Sequence, residues 1–459
     1  MESSADIQVG DVALPRAAVA LEITSTPVLS YALAHNRIPV VSRLALTCAG
    51  GPVRGATVRL SVRDAEGPIA QAVELLADLD EGRTTVLTDL GLVMDPAAML
   101  QVEGQRPGVL EVEVEAPGEN GPELLGSALR PVQVLAAQQW LATPLPLALE
   151  MLAAHVMPNH PAITELVAEA ADVLEQKTGS GALVGYAAAP ERVDEVVHAI
   201  AEVMQTRGIR YSEPPASWSD LGQQVRTPGD VLTWRVGTPL DTVVVLAAAL
   251  EQAGLRPLLW LADGNGGAGG GSHAFLGYWR EERSAESAAT TDAASLVNLV
   301  DLGLIGLVET TLLTSMGEPG ADLHRPAYAG WLAGELDRIL GVTDVHRARR
   351  DGILPLPARA RDVNGVLTVV EYRPAEHSAP VRAEESHVPV AGNRPEPPPR
   401  VRQWKNALLD LSLRNRLINY TERSGLALAV PGASLGILEN FVHDGTPISL
   451  LPASSIVSR

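Results

Sequence analysis

Residues Gly237 to Thr242 read GTPLDT and open an apolar helix that runs on through Val243 to Leu250. A strand-like run, Leu255 to Leu261, follows, then a glycine loop, then a second strand that begins on a histidine, His273-Ala-Phe-Leu-Gly-Tyr-Trp279. The first turn of a helix presents unpaired N–H groups and the positive end of the dipole, both of which favour an anion. A histidine nearby is a candidate general base, and a carboxylate on the next strand would orient it. Two acids are candidates, Asp301 in Leu296-Val-Asn-Leu-Val-Asp301 and Glu309 in Gly306-Leu-Val-Glu-Thr-Thr311. The helix start itself offers Pro239, which suits the first helical position because its missing N–H had no partner there. Proline is no nucleophile, and the adjacent Thr238 is expected to cap the helix.

The elements that would position these residues fall into four stretches. Residues 1–136 are expected to form an all-β sandwich: Val58, Leu60 and Val62 alternate with Arg59, Ser61 and Arg63, and Leu110, Val112 and Val114 with Glu111, Glu113 and Glu115. Turn clusters at Gly50-Gly51-Pro52, Glu66-Gly67-Pro68 and 117–121 separate the strands, as in a sandwich of Ig-like type. Residues 137–372 change to α+β. Ile163, Leu166, Val167, Ala170 and Leu174 mark one helix, and Val193, Val196, Val197, Ile200 and Val203 another. Residues 373–399 hold seven prolines among small and charged residues, a composition for an extended linker. A new module begins at 400, with Trp404, Leu408 and Leu411 on one helical face.

Composition narrows the function. The 459 residues carry 35 basic and 55 acidic side chains, a net charge of -20, which opposes strong nucleic-acid binding by the chain as a whole. Locally, residues 400–423 hold six basic residues against two acidic, a balance of +4, so Arg402, Lys405, Arg414 and Arg416 are candidates for DNA contact. No stretch offers the roughly 20 uninterrupted apolar residues of a membrane span, and the N-terminus lacks a secretory pattern. A cytoplasmic protein without membrane partners is expected. The one cysteine, Cys48, excludes an internal disulfide and reads as a buried small hydrophobe.

Three further motifs do not qualify. Gly264-Asn-Gly-Gly-Ala-Gly269 satisfies GxGxxG but lies between strands, without a helix start to hold a pyrophosphate. No GxxxxGK[ST] occurs. His155 and His160 have Pro158 between them, so they flank a turn rather than form a helical zinc pair, and no metal site is expected.

The order of helix, strand and His-bearing strand resembles the transglutaminase-like branch of the papain-type cysteine hydrolases. That family sets a cysteine at the first turn of a helix and a histidine on a following strand. The resemblance implies that Pro239 stands at the cysteine position and His273 at the base. It favours Glu309, followed by Thr, over Asp301 as the acid. The triad Pro239, His273 and Glu309 is therefore expected to be degenerate.

Further stretches sharpen the likeness: Met157-Pro-Asn-His-Pro161, Gly185-Tyr186, Arg210-Tyr-Ser-Glu-Pro-Pro-Ala-Ser-Trp218, Gln223-Gln-Val-Arg226, Leu250 to Leu259, Ala348-Arg-Arg350, Ile353 to Pro357 and Leu408-Leu-Asp-Leu-Ser-Leu-Arg-Asn-Arg-Leu417. Together they resemble the N-terminal portion of a bacterial family of unknown function that precedes a superfamily I helicase core. Members often end in a very-short-patch-repair-type endonuclease and are associated with anti-phage defence. The likeness spans about residues 28–459, and relatives carry GTCLDL where this chain has Gly237-Thr-Pro-Leu-Asp-Thr242. It implies no cofactor in this chain, and ATP and magnesium only in a helicase core C-terminal to Arg459.

The resulting expectation is a non-catalytic recognition and regulatory region of a helicase-type protein. Its degenerate cleft would bind a peptide or protein partner, with Tyr186, Trp218, His273 and Tyr278 as lining, and a helicase core would follow in cis or act in trans. Two alternatives are a transglutaminase-like enzyme with a non-standard nucleophile and a DNA-binding module.

Overall fold

The computed structural model describes residues 17–369, apart from 89, 119–120, 215–217, 219–221, 263–271, 319, 335 and 362–366. The chain divides into two compact units, Met1–Arg373 and Pro374–Arg459, and every described residue belongs to the first.

Its first third is built of strands β1 (Ala18–Ser25), β2 (Val28–Leu29), β3 (Val41–Ala49), β4 (Val53–Asp64), β5 (Val73–Leu79), β6 (Thr84–Leu87), β7 (Arg106–Ala116) and β8 (Glu123–Val134), with short helices α1 (Tyr31–His35) and α2 (Pro96–Leu100). Two sheets form, in the orders β1-β3-β6 and β2-β8-β7-β4-β5. The alternation read from the sequence sets the register. Val58 lies opposite Val114, Leu60 opposite Val112 and Val62 opposite Leu110, and all six are fully buried. The intervening Arg59, Arg63 and Glu111 face outward, where pairs such as Arg63–Glu111 at 3.8 Å add little stability. Cys48 is buried in this core, its Sγ 3.2 Å from the Gly51 carbonyl.

From Gln139 onward helices dominate: β9 (Gln139–Trp140), α3 (Leu145–Leu152), α4 (Pro161–Thr178), α5 (Pro190–Thr206), β10 (Arg210–Tyr211), β11 (Gln223–Gln224), α6 (Pro228–Trp234), β12 (Val236–Gly237) and α7 (Pro239–Gln252). The antiparallel sheet that follows combines β13 (Pro257–Ala262), β14 (His273–Trp279), β15 (Ala289–Thr290), β16 (Ile305–Val308) and β17 (Ile339–Asp344) in the order β15-β17-β13-β14-β16. Helices α8 (Ala294–Asp301), α9 (His324–Ala327) and α10 (Val345–Arg350) complete the unit, with a last pair of short strands at Arg359–Arg361 and Leu367–Val369.

Helix α7 is buried from Pro239 to Leu250 without a polar face, which explains why its sequence is apolar all round. At about 1.5–3 kcal/mol per fully buried Val or Leu, it is the centre of the second core. It packs on one face of the five-stranded sheet through Ala274, Leu276 and Tyr278. The alternate residues Phe275 and Trp279 turn to the opposite face, against α8 and the segment around Trp331.

The two regions are continuous across residue 136. Met151, Ala153, Ala154 and Met157 bury into the β-rich core, as do Ala348, Ile353 and Leu356. Asn36 clasps the returning chain, accepting from Leu354 N at 2.6 Å and donating to its carbonyl at 3.3 Å. Among the described residues no helix is long and apolar enough to cross a membrane.

Candidate functional site

The start of α7 is fixed by a reciprocal cap. Thr238 Oγ1 accepts from Asp241 N at 3.2 Å, and Asp241 Oδ2 accepts from Thr238 N at 2.9 Å. Asp241 is fully buried and also takes two bonds from Arg226, its backbone N–H at 2.8 Å and Nη1 at 2.6 Å. Gln223 Nε2 gives a further bond to Thr238 Oγ1 at 2.6 Å, and Trp218 Nε1 in turn donates to Gln223 Oε1. Two chemical consequences follow. The Thr238 hydroxyl already accepts two hydrogen bonds, and the positive helix end is occupied by the chain's own carboxylate. Pro239 occupies the first helical position and supplies neither N–H nor nucleophile.

His273 and Glu309 do come together. Nε2 of His273 lies 3.1 Å from each Glu309 carboxylate oxygen, and Oε1 also accepts from Thr311 N at 3.2 Å and Thr311 Oγ1 at 2.8 Å. Burial pushes the Glu309 carboxyl up. The hydrogen bond and charge of His273, with the two bonds from Thr311, outweigh it and hold the group below the usual carboxylate range. An ionised acceptor requires Nε2 to be the protonated nitrogen, which leaves Nδ1 for any second partner. The indole of Trp331, on a π-helical turn Tyr328–Leu332, stacks on the imidazole at 4.5 Å and 11°. The Arg338 guanidinium lies 4.6 Å from the same indole.

Pro239 connects to this pair through threonines. Thr242 Oγ1 lies 2.9 Å from the Pro239 carbonyl and 3.0 Å from Thr310 Oγ1, and Thr310 follows Glu309 in the chain. Among the described residues no hydrogen bond joins the first turn of α7 directly to His273. The arrangement can orient an imidazole through its Nε2–H. It offers no thiol or free hydroxyl at the helix start.

The other residues expected to line the cleft lie elsewhere. Trp218 is buried, set edge-on to Trp140 at 5.7 Å, and acts through Gln223 on the helix cap. Tyr278 pairs with Pro257 at the far end of β14, whereas His273 pairs with Ala262, and its hydroxyl donates to Asp194 Oδ1 at 2.9 Å. Tyr186 sits at the opposite end of α7, where its hydroxyl accepts from Arg256 N at 2.9 Å and donates to the Trp279 carbonyl at 3.0 Å. The four residues therefore do not share one cleft: strand position separates Tyr278 from His273, the length of α7 separates Tyr186, and Trp218 is buried behind the helix cap. Asp301, the second candidate acid, ends helix α8 instead of a strand and accepts from Tyr328 Oη at 2.7 Å. His155 is buried in a single turn of 3-10 helix, and His160 caps α4 through Nδ1. Among the described residues no group of three His, Cys, Asp or Glu side chains could hold a metal ion. Arg402, Lys405, Arg414, Arg416 and the loop 264–269 lie outside the described residues.

Tyr211 was not among the expected site residues. Its half-exposed phenol is close enough to Glu309 for that charge, after burial and Glu213, to raise its pKa. Tyr211 lies in the stretch Arg210 to Trp218 that sharpened the likeness, but its placement depends on β10 pairing with β12 just before Thr238.

Residues 407–458 match a family described as a protein of unknown function (DUF4011). No curated protein matches the chain. Among solved structures, the chain is similar to AggA, the major subunit of aggregative adherence fimbriae type I from Escherichia coli. The identity is 9%, covering 26% of this chain and 95% of that one, with a TM-score of 0.15. It is also similar to a Parabacteroides distasonis protein named a "putative protease", at 12% identity over 51% of this chain and 61% of that one, with a TM-score of 0.21. At these scores neither likeness bears on the fold.

Proposed function

We propose that this chain is a non-catalytic recognition and regulatory region of a helicase-type protein. In this reading an Ig-like sandwich precedes a degenerate transglutaminase-like domain whose former catalytic cleft holds a peptide or protein partner. The observation that carries it is Pro239 at the first position of α7, connected through Thr242 and Thr310 to the His273–Glu309 pair. A base needs an adjacent nucleophile to act on. Here the neighbouring Thr238 hydroxyl is committed to the helix cap.

The helicase context rests on the likeness of Leu408 to Leu417, within the stretch that matches the family of unknown function. ATP and magnesium would belong to that helicase core, in cis or in trans. DNA contact through Arg402, Lys405, Arg414 and Arg416 is a further element of the proposal.

The test is intact-mass spectrometry and turnover of glutamine-containing peptides and amines by the wild-type chain and by His273→Ala. The expected result is no adduct and no turnover with either. Turnover by the wild type that disappears in His273→Ala would overturn the reading in favour of a hydrolase with a non-standard nucleophile.

A further inference from the structure

The outer face of the five-stranded sheet β2-β8-β7-β4-β5 is defined by its register. Leu76, Thr57, Glu115 and Leu124 lie in one row across β5, β4, β7 and β8, and Glu74, Arg59, Glu113 and Ser127 in the next. Ser61, Glu111 and Leu129, then Arg63, Val109 and Pro131, form the following rows. The alternate residues Val58, Leu60, Val112 and Val114 are fully buried, so these rows point away from the core. Two columns therefore stand side by side on one face. Along β8 run Leu124, Leu129 and Pro131, and along β7 run Glu111, Glu113 and Glu115, with Val109 beside Pro131. Leu124 is 54% exposed and Leu129 57%, and Leu76, two strands beyond Glu115, is 79% exposed.

An antiparallel sheet packed on one side ordinarily turns polar residues to water, and apolar side chains gathered on its solvent face mark a contact surface. Charge decides what can cover this one. Arg59 pairs with Glu74 at 3.7 Å and Arg63 with Glu111 at 3.8 Å. Glu113 and Glu115 are left half-buried, with no ion pair among the described residues. Two residues apart on one strand, their Cα atoms are about 7 Å apart, and the carboxylates repel one another. A second copy docked by this same face would set these carboxylates against their own kind. Nucleic acid or an anionic membrane would add phosphate to them, and the net charge of -20 opposes both. A basic segment is attracted by the face and by the chain alike. We propose that the β7–β8 face docks a basic segment of a partner protein lying along the two strands. Lysine or arginine side chains meet Glu113 and Glu115, and apolar side chains meet Leu124 and Leu129. The inference goes beyond the reading of the His273 cleft, whose residues belong to the sheet that contains β14.

The test is fluorescence anisotropy of the full chain with a fluorescein-labelled dodecapeptide of Lys, Leu and Gly. Comparison probes carry Glu in place of Lys, or Ser in place of Leu. A chain of this charge attracts any basic peptide, so variants of equal charge are compared. Glu113→Gln/Glu115→Gln should bind the Lys–Leu peptide at least tenfold more weakly. Glu165→Gln/Asp172→Asn, which removes two exposed carboxylates from α4, should bind it as the wild type does. Leu124→Ser/Leu129→Ser should also lose at least tenfold, and the Ser probe should bind the wild type correspondingly weakly. The substituted side chains lie on the solvent side of their elements, so the fold should survive, and circular dichroism checks this. Equal losses in the two charge variants would overturn the proposal, as would unchanged binding by the leucine variant. So would no binding of the Lys–Leu peptide, equal or tighter binding of the Glu probe, or self-association of the chain that Leu124→Ser/Leu129→Ser abolishes. Binding lost in His273→Ala but kept in the variants of the β7–β8 face would place the peptide in the cleft and overturn the face.

Discussion

Thr242 and Thr310 hydrogen-bond through their hydroxyls at 3.0 Å, both fully buried, and so join the first turn of the central helix to the residue after Glu309. Two elements 68 residues apart in sequence are thereby locked at one depth. The His273–Glu309 pair inherits its position from that lock.

Thr242→Val keeps the shape of the side chain and leaves Thr310 Oγ1 without this partner in a buried setting. A loss of about 1–3 kcal/mol is expected, measured by urea denaturation. A change below the error of that experiment would show that the bond contributes nothing net.

Glu309 has a lowered folded pKa, so the stability it contributes is present above the ordinary carboxylate range and is lost as pH falls through its folded value. Glu309→Gln should therefore be less stable than the wild type at pH 7, by about 1–3 kcal/mol. The gap should narrow as pH falls below the ordinary carboxylate range and close as it passes below the folded value of Glu309. A gap independent of pH between 7 and 3 would refute an ionised Glu309.

His155 is buried, and burial first, then the charge of Arg359, lowers its pKa to about 3. The unfolded chain takes up this proton near pH 6.5, so the contribution is complete above that value. It declines on acidification until about pH 3, with a slope of up to about 1.4 kcal/mol per pH unit. His155→Gln should flatten the dependence of the melting temperature on pH between 6.5 and 4.5. Parallel curves for the two proteins would contradict a neutral buried imidazole.

Much of the fold was legible because the local periods were strong. The alternation at Val58, Leu60 and Val62 located a buried strand, and the spacing of Ile163, Leu166, Val167, Ala170 and Leu174 located a helix face. For the partner of His273 the residues alone left Asp301 and Glu309 open, and only the resemblance to the transglutaminase-like order favoured Glu309, which the strand pairing brings beside it. Trp331 could not be read from the sequence, since it reaches His273 from a short segment placed by tertiary packing. Tyr186, Trp218 and Tyr278 were misassigned to one cleft for a related reason. An aromatic side chain shows no sign in sequence of which end of a strand or helix it will occupy.

The clasp at Asn36 has a mechanical meaning. The chain leaves the described unit only after passing Leu354, held by Asn36, and Pro355, whose carbonyl is 3.1 Å from His35 Nε2. One residue further on, Leu356 N is anchored on the Ala154 carbonyl at 2.8 Å, and Arg359, four residues after Pro355, bonds the Ala137 carbonyl at 3.1 Å. Tension applied to the chain at Val369 would load the pairing of Arg359–Arg361 with Leu367–Val369 first and these few bonds next, before the sheets behind them.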